Sequence, residues 1–168
     1  MLKLVKLNEI YKEQFFDMMN EWTSTNEKIV PYAIRKIDYH YFDIYIKNLD
    51  NKKEGKNLVP SSVYFCLDDE INKFVGAVDI RHYLNDALKE AGGHIGDGIR
   101  PSLRNRGYGT KMVSLALEKC KNMNIQNVLM TCDKDNIASA KTIIKNGGVL
   151  ENEIKYNGKI VQRYWIKL

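Results

Sequence analysis

Residues 104–111 read RNRGYGTK and run directly into MVSLALEKC. In the second stretch Val113, Ala116, Leu117 and Cys120 recur at helical spacing on one face, so the glycines stand where a helix begins. The first N–H groups of a helix have no intrahelical acceptor, and the aligned peptide dipoles add partial positive charge there. Gly107 and Gly109 let a ligand approach the main chain, while Arg104, Arg106 and Lys111 raise the local potential. The chemistry this combination suits is the binding of a phosphate or pyrophosphate. The same residues also suit a solvated basic helix start whose glycines serve only a tight turn. Two familiar phosphate templates do not fit. The P-loop needs Gly-Lys followed by Ser or Thr, and Thr110 separates Gly109 from Lys111. The dinucleotide fingerprint needs a third glycine where this chain has Met112.

The elements that must position this loop follow from periodicity. Leu2 and Leu4 alternate as in a short strand, and Asn8 then caps a helix bearing Tyr11, Phe15, Met18, Met19 and Trp22 on one side. A second helix is expected from about Asp38, with Tyr41, Ile44, Tyr45 and Leu49 at the same helical spacing. Residues 48–62, rich in lysine, asparagine, glycine and proline, read as a surface loop. SVYFCLDD and KFVGAVDIRHY form a hairpin pattern about Asp69 to Asn72, and HIGDGIRP extends the sheet. After the loop and its helix, QNVLMTCD is a short apolar run suited to a buried strand. DNIASAKTIIKNGG is a capped helix with Ala140, Ile143 and Ile144 inward, ended by Gly147 and Gly148. The last twenty residues give two strands joined at Asn157-Gly158, a strong hairpin signal. The sum is a mixed α/β or α+β sheet, antiparallel at both ends with a strand–helix–strand unit in the middle.

At 168 residues, 44% of them hydrophobic, the chain is expected to form one domain, residues 1–168, around one core. Its net charge of +5 favours anionic partners without demanding nucleic acid, because the basic residues are spread along the chain. Cys66, Cys120 and Cys132 form no CxxC pair and leave an odd count, which argues against a disulfide framework or a zinc site and fits a reducing cytoplasm. The first residues alternate and lack the continuous apolar core of a secretory signal, and no apolar run approaches membrane-spanning length.

Arg104-Asn105-Arg106-Gly107-Tyr108-Gly109 matches the cofactor motif of the GCN5-related N-acetyltransferase (GNAT) family: Arg or Gln, two residues, Gly, one residue, then Gly or Ala. The setting matches as well. Ile99-Arg100-Pro101 corresponds to the family's hydrophobic-x-Pro step before the motif, Asn136-Ile137-Ala138-Ser139 to its Asn-led helix, and Gly147 to the glycine ending that helix. The order of elements resembles the family across nearly the whole chain, and GGHIGDGIRP is similar to predicted acetyltransferases of uncharacterised specificity.

The resemblance implies a central mixed, mostly antiparallel sheet with flanking helices and one parallel pair of strands, His94 to Arg100 and Asn127 to Cys132, splayed around acetyl-coenzyme A. It implies that N–H groups from Arg106 to Thr110 receive the pyrophosphate and that the Ile99 backbone pairs with the pantetheine arm. The implied cofactor residues are Ile99, Arg100, Arg104, Arg106, Gly107, Tyr108, Gly109, Thr110, Asn136 and Ser139, with no metal. The implied reaction is direct acetyl transfer to a primary amine of a small molecule or peptide, in a monomer or homodimer. Asp97 and His94 are the candidates in the right strand to take the amine's proton. Asp97 also suits a turn in a glycine-rich bend, and His94 a packed core histidine. Ile143 stands where many members carry the tyrosine that protonates the departing thiolate, with Tyr108, Tyr156 or Tyr164 as replacements. Cys132 suits a buried structural thiol better than a nucleophile. A different reading is a non-catalytic acyl-CoA-binding module. An RNA-binding domain is disfavoured, because aromatic and basic residues are not interleaved.

Overall fold

A computed structural model describes all 168 residues. The elements run β1 (Leu2–Val5), α1 (Lys12–Ser24), α2 (Tyr32–Arg35), α3 (Phe42–Asn48), β2 (Ser61–Asp68), β3 (Lys73–Arg81), α4 (Asp86–Glu90), β4 (Ile95–Ile99), α5 (Tyr108–Asn122), β5 (Asn127–Asp133), α6 (Ile137–Lys145), β6 (Val149–Tyr156) and β7 (Lys159–Lys167). They build two antiparallel sheets, ordered β1-β2-β3-β4 and β5-β7-β6. The chain crosses from one sheet to the other through α5, so β4 and β5 lie side by side and run the same way. Each strand is the edge of its own sheet at this junction.

Local sequence explains the junction's neighbours. The Asn8 side chain accepts the Ile10 N–H and starts a short 3-10 turn leading into α1. α1 buries Phe15, Met18, Met19 and Trp22. α5 buries Met112, Val113, Ala116, Leu117 and Cys120. Asn157 and Gly158 both take positive φ, 48° and 78°, which lets a two-residue turn join β6 to β7. The core has two parts on opposite faces of the first sheet. One packs α5, α6 and β5 against Val75, Val78, Ile80 and Ile95. The other packs α1 and α3 against Val63, Phe65, Phe74 and Ala77.

Three expectations need correction. The segment from Asp38 turns in differently from its expected stripe: α3 starts only at Phe42 and buries Phe42, Tyr45 and then Leu49, while Tyr41 and Ile44 are exposed. A seven-residue helix with apolar residues on several sides does not declare its inner face. In α6, Ala140 and Ile143 are buried but Ile144 is exposed, because the helix lies at the molecular rim and covers only one row. The helix α4, capped by the Asn85 side chain at Leu88 N–H, lies in a stretch where no element was expected.

Candidate active site

The gap between β4 and β5 is closed at one end by a single clasp. The His94 N–H donates to the Leu129 carbonyl at 2.7 Å, and the Leu129 N–H donates to His94 Nδ1 at 2.9 Å. Gly93 is needed there, since at φ 63° an added Cβ would strike the Leu129 carbonyl. Beyond the clasp no ladder of hydrogen bonds joins the two strands, and α5 and α6 begin past their carboxyl ends.

β4 offers the gap a free backbone edge. The Arg81 N–H bonds the His94 carbonyl at 2.8 Å and the Arg100 N–H bonds the Val75 carbonyl at 2.9 Å. In the register between these pairs, antiparallel alternation turns Gly96 and Gly98 toward β3, and it turns the N–H groups of Asp97 and Ile99 toward β5. The Ile99 N–H thus faces the gap, while its carbonyl already accepts from Arg104 Nε at 3.1 Å. On the face toward α1, Val30 and Pro31 lie directly on Gly98 and Gly96, where added Cβ atoms would collide with the Val30 carbonyl and press on Pro31. The alternating glycines of GDG signal this close backbone approach, a signal the sequence reading passed over.

At the open end, α5 begins with Gly107 in the left-handed conformation at φ 82°. No heavy atom lies within 4 Å of the Cβ it lacks, so the space above it is open. The N–H groups of Arg106, Gly107, Tyr108, Gly109 and Thr110 have no acceptor in the chain. Arg106 and Lys111 form no ion pair; with Tyr108 they line a cavity of about 450 Å³ on the β1 side of the helix start, which Asp68, Glu70 and the first two residues also line. Gly109 packs toward Ile99 and Thr142, so the donor row abuts the end of β4. This is a cradle for an anion continued by an edge for an extended chain.

The remaining expected residues divide. The Tyr108 hydroxyl donates to Asp68 at 2.9 Å, away from the gap. The Arg104 guanidinium pairs with Glu27 at 2.6 Å and lies over the Trp22 ring, so its charge is largely spent. The side chain of Arg100 does not reach the cofactor cradle. It is buried and bound to Asp17 at 2.7 Å, to Glu21 and to the Phe74 carbonyl, fastening β4 to α1. Burial works to raise the pKa values of Asp17 and Glu21, yet their hydrogen bonds to Arg100 hold both below the usual carboxylate range. Removing the guanidinium would leave Asp17 with Lys73 alone and Glu21 with Ser102 alone, and would unfasten β4 from α1. Asn136 Oδ1 accepts the Ser139 N–H at 3.2 Å and caps α6, which places both residues at the mouth of the gap.

His94 and Asp97 face different environments. His94 is buried, its Nδ1 accepts the Leu129 N–H, and burial followed by the Arg81 charge lowers its pKa to about 4. Asp97 is half-buried on the face shared with Ile95 and Ile99, makes no hydrogen bond or ion pair, and is pushed up to about 6 by burial. Across the gap lies Cys132, whose thiol is raised by burial first, eased by Ser139, and raised further by the charges of Asp133 and Asp97. The three cysteines are free and buried. No group of three or more acidic, histidine or cysteine side chains is placed to hold a metal.

A family model described as "Acetyltransferase (GNAT) domain" matches residues 2–149. The chain belongs to the GNAT acetyltransferase family. It is an acetyl-CoA-dependent acetyltransferase, and the open cradle and free edge fit that co-substrate. Solved structures share the GNAT fold at low identity. The microcin C7 self-immunity acetyltransferase MccE, in complex with acetyl-CoA and AMP, is 17% identical with a TM-score of 0.68 over 99% of this chain and 92% of its own. RimL, a ribosomal L7/L12 alpha-N-protein acetyltransferase in complex with coenzyme A, is 14% identical with a TM-score of 0.67 over 99% and 94%. A point mutant of the spermidine N-acetyltransferase SpeG from Vibrio cholerae is 15% identical with a TM-score of 0.64 over 99% and 94%. No curated protein sequence matches the chain.

Proposed function

We propose that this GNAT acetyltransferase moves the acetyl group of acetyl-CoA directly onto a primary amine of a small molecule or a peptide. The observation that carries the reading is the pairing of two sets of unpaired N–H donors, one at the start of α5 and one on the outer edge of β4 at Ile99 and Asp97, with the unpartnered carboxyl of Asp97 on the same strand. Acetyl-CoA supplies an activated thioester. Arg106, Lys111 and the N–H groups of Arg106 to Thr110 hold its pyrophosphate, and Asn136 and Ser139 border its arm. The Ile99 N–H faces the gap, where it stabilises negative charge developing on the acetyl oxygen. Asp97 takes a proton from the attacking nitrogen, the role its raised pKa suits near neutral pH. His94, held neutral in the clasp, sets how far the arm enters. SpeG and RimL, named for acetylating spermidine and a ribosomal protein, support an amine acceptor. The reading takes residues 1–168 as one domain working in the cytoplasm, as monomer or homodimer, without nucleic acid. No helix is long and apolar enough to cross a membrane.

The test is thiol release from acetyl-CoA in the presence of amino acids, polyamines and peptides with free amino termini. At least one amine is expected to raise release about 100-fold over hydrolysis, with the product heavier by one acetyl group. Tight coenzyme A binding with silence across the panel would overturn amine transfer and support the binding-module reading.

A further inference from the structure

The amine-transfer reading, on which this inference rests, moves a proton off nitrogen and requires one on sulfur. The chain has no hydroxyl where the resemblance places one. Ile143 is fully buried, and the space beside it is closed by Gly148, whose added Cβ would lie 2.5 Å from Ile143 Cγ2. The substitute tyrosines are engaged elsewhere. Tyr108 donates to Asp68 at 2.9 Å, Tyr164 is buried and donates to Gln162 at 2.8 Å, and Tyr156 lies on β6, beyond β7 from the gap. His94 is spent on Leu129.

Asp97 remains, and its position suits the task. At roughly 3.4 Å per residue it lies about 7 Å deeper along β4 than Ile99 and about 10 Å short of the clasp at His94. An arm laid along the edge from the α5 cradle passes Ile99 and reaches Asp97 before it meets the clasp. On β5 the titratable group whose charge interacts with Asp97 is the Cys132 thiol, which donates to Gln162 of β7 at 4.0 Å and packs in one cluster with Tyr164. β3 presents Val78, and the inward face of α5 presents Met112, Val113 and Ala116. No cation neutralises the carboxyl from any of these elements.

We propose that Asp97 shuttles one proton, acting first as base toward nitrogen and then as acid toward sulfur. The acceptor ammonium first loses one proton to water. The neutral amine attacks the thioester carbon, and the Asp97 carboxylate takes a proton from nitrogen as the C–N bond is completed. The C–S bond then breaks with its electron pair on sulfur, and the Asp97 carboxylic acid delivers the same proton there. The products are the amide and the coenzyme A thiol, and Asp97 is again a carboxylate. A carboxylic acid raised to about 6 still protonates a thiolate whose conjugate acid has a pKa of about 8.5, so the second transfer runs downhill.

The experiment compares wild type with the isosteric Asp97→Asn using two donors, acetyl-CoA and acetyl-seleno-CoA, and the most active amine of the panel. A selenolate leaves without protonation, so the seleno donor bypasses only the second step. Turnover with acetyl-CoA is expected to fall about 1,000-fold and with the seleno donor about 30-fold, while coenzyme A affinity stays within about threefold as the control for folding. Equal losses with both donors would confine Asp97 to the nitrogen side, and no loss would remove it from the reaction. A measurement that needs no acceptor is the thiolate absorbance of bound coenzyme A against pH. Loss of the neighbouring carboxylate should lower that thiol's pKa by about one unit in Asp97→Asn, and an unchanged value overturns the proposal even if the acceptor is never found.

Discussion

Gly107 shows how one position is fixed by two requirements at once. Its φ of 82° is costly for a side chain, by about 1–2 kcal/mol, and its open upper face is where a phosphate must pass. Gly107→Val therefore separates the two. Thermal stability should fall by only a few degrees, because the new side chain meets nothing in the fold, whereas coenzyme A binding in calorimetry should weaken by more than tenfold. Unchanged affinity would remove this helix start from the cofactor site. The residue scale was only partly legible in sequence. The loop residues, the Asn136 cap and the carboxyl of Asp97 follow from local motifs and alternation. The Arg100 side chain does not, because its partners Asp17 and Glu21 lie 83 and 79 residues away and no local pattern announces them.

Among the elements, the β4–β5 clasp depends on the neutral form of His94, whose Nδ1 must accept a hydrogen bond. The folded value of about 4 lies below the unfolded value of about 6.5, so between them the unfolded chain binds more protons. The clasp's contribution is whole above about pH 6.5 and is lost as pH falls toward 4. Urea unfolding at pH 7 and pH 5 should show wild type losing about 2 kcal/mol more than His94→Gln over that interval. Equal losses would mean that this histidine does not titrate in the clasp. Strand pairing was readable where turns are short, as at Asn157-Gly158 between β6 and β7. The inner face of α3 was not, because Tyr41, Phe42, Ile44 and Tyr45 offer more apolar residues than one short helix can bury.

In the whole molecule the sequence reading leads to one mixed sheet, and the structure divides it into two sheets that share a clasp and the α5 crossover. The order of the strands and of the helices other than α2 and α4 was legible because each of those elements is locally encoded. The break between β4 and β5 was not, since it is a matter of which strands pair across the α5 crossover and no local pattern announces it. The Asp97 and Ile99 amides, turned into this gap without acceptors, are built to be completed from outside. Their hydrogens should exchange with deuterated solvent at nearly the rate of an unstructured peptide in the empty protein, while those of Gly96 and Gly98 one residue away stay protected. Saturating coenzyme A should slow the Ile99 amide by more than tenfold, and an amide already slow before addition would contradict the free edge. The enzyme thus leaves one seam of its own hydrogen-bonding unfinished, and its donor molecule is the missing thread.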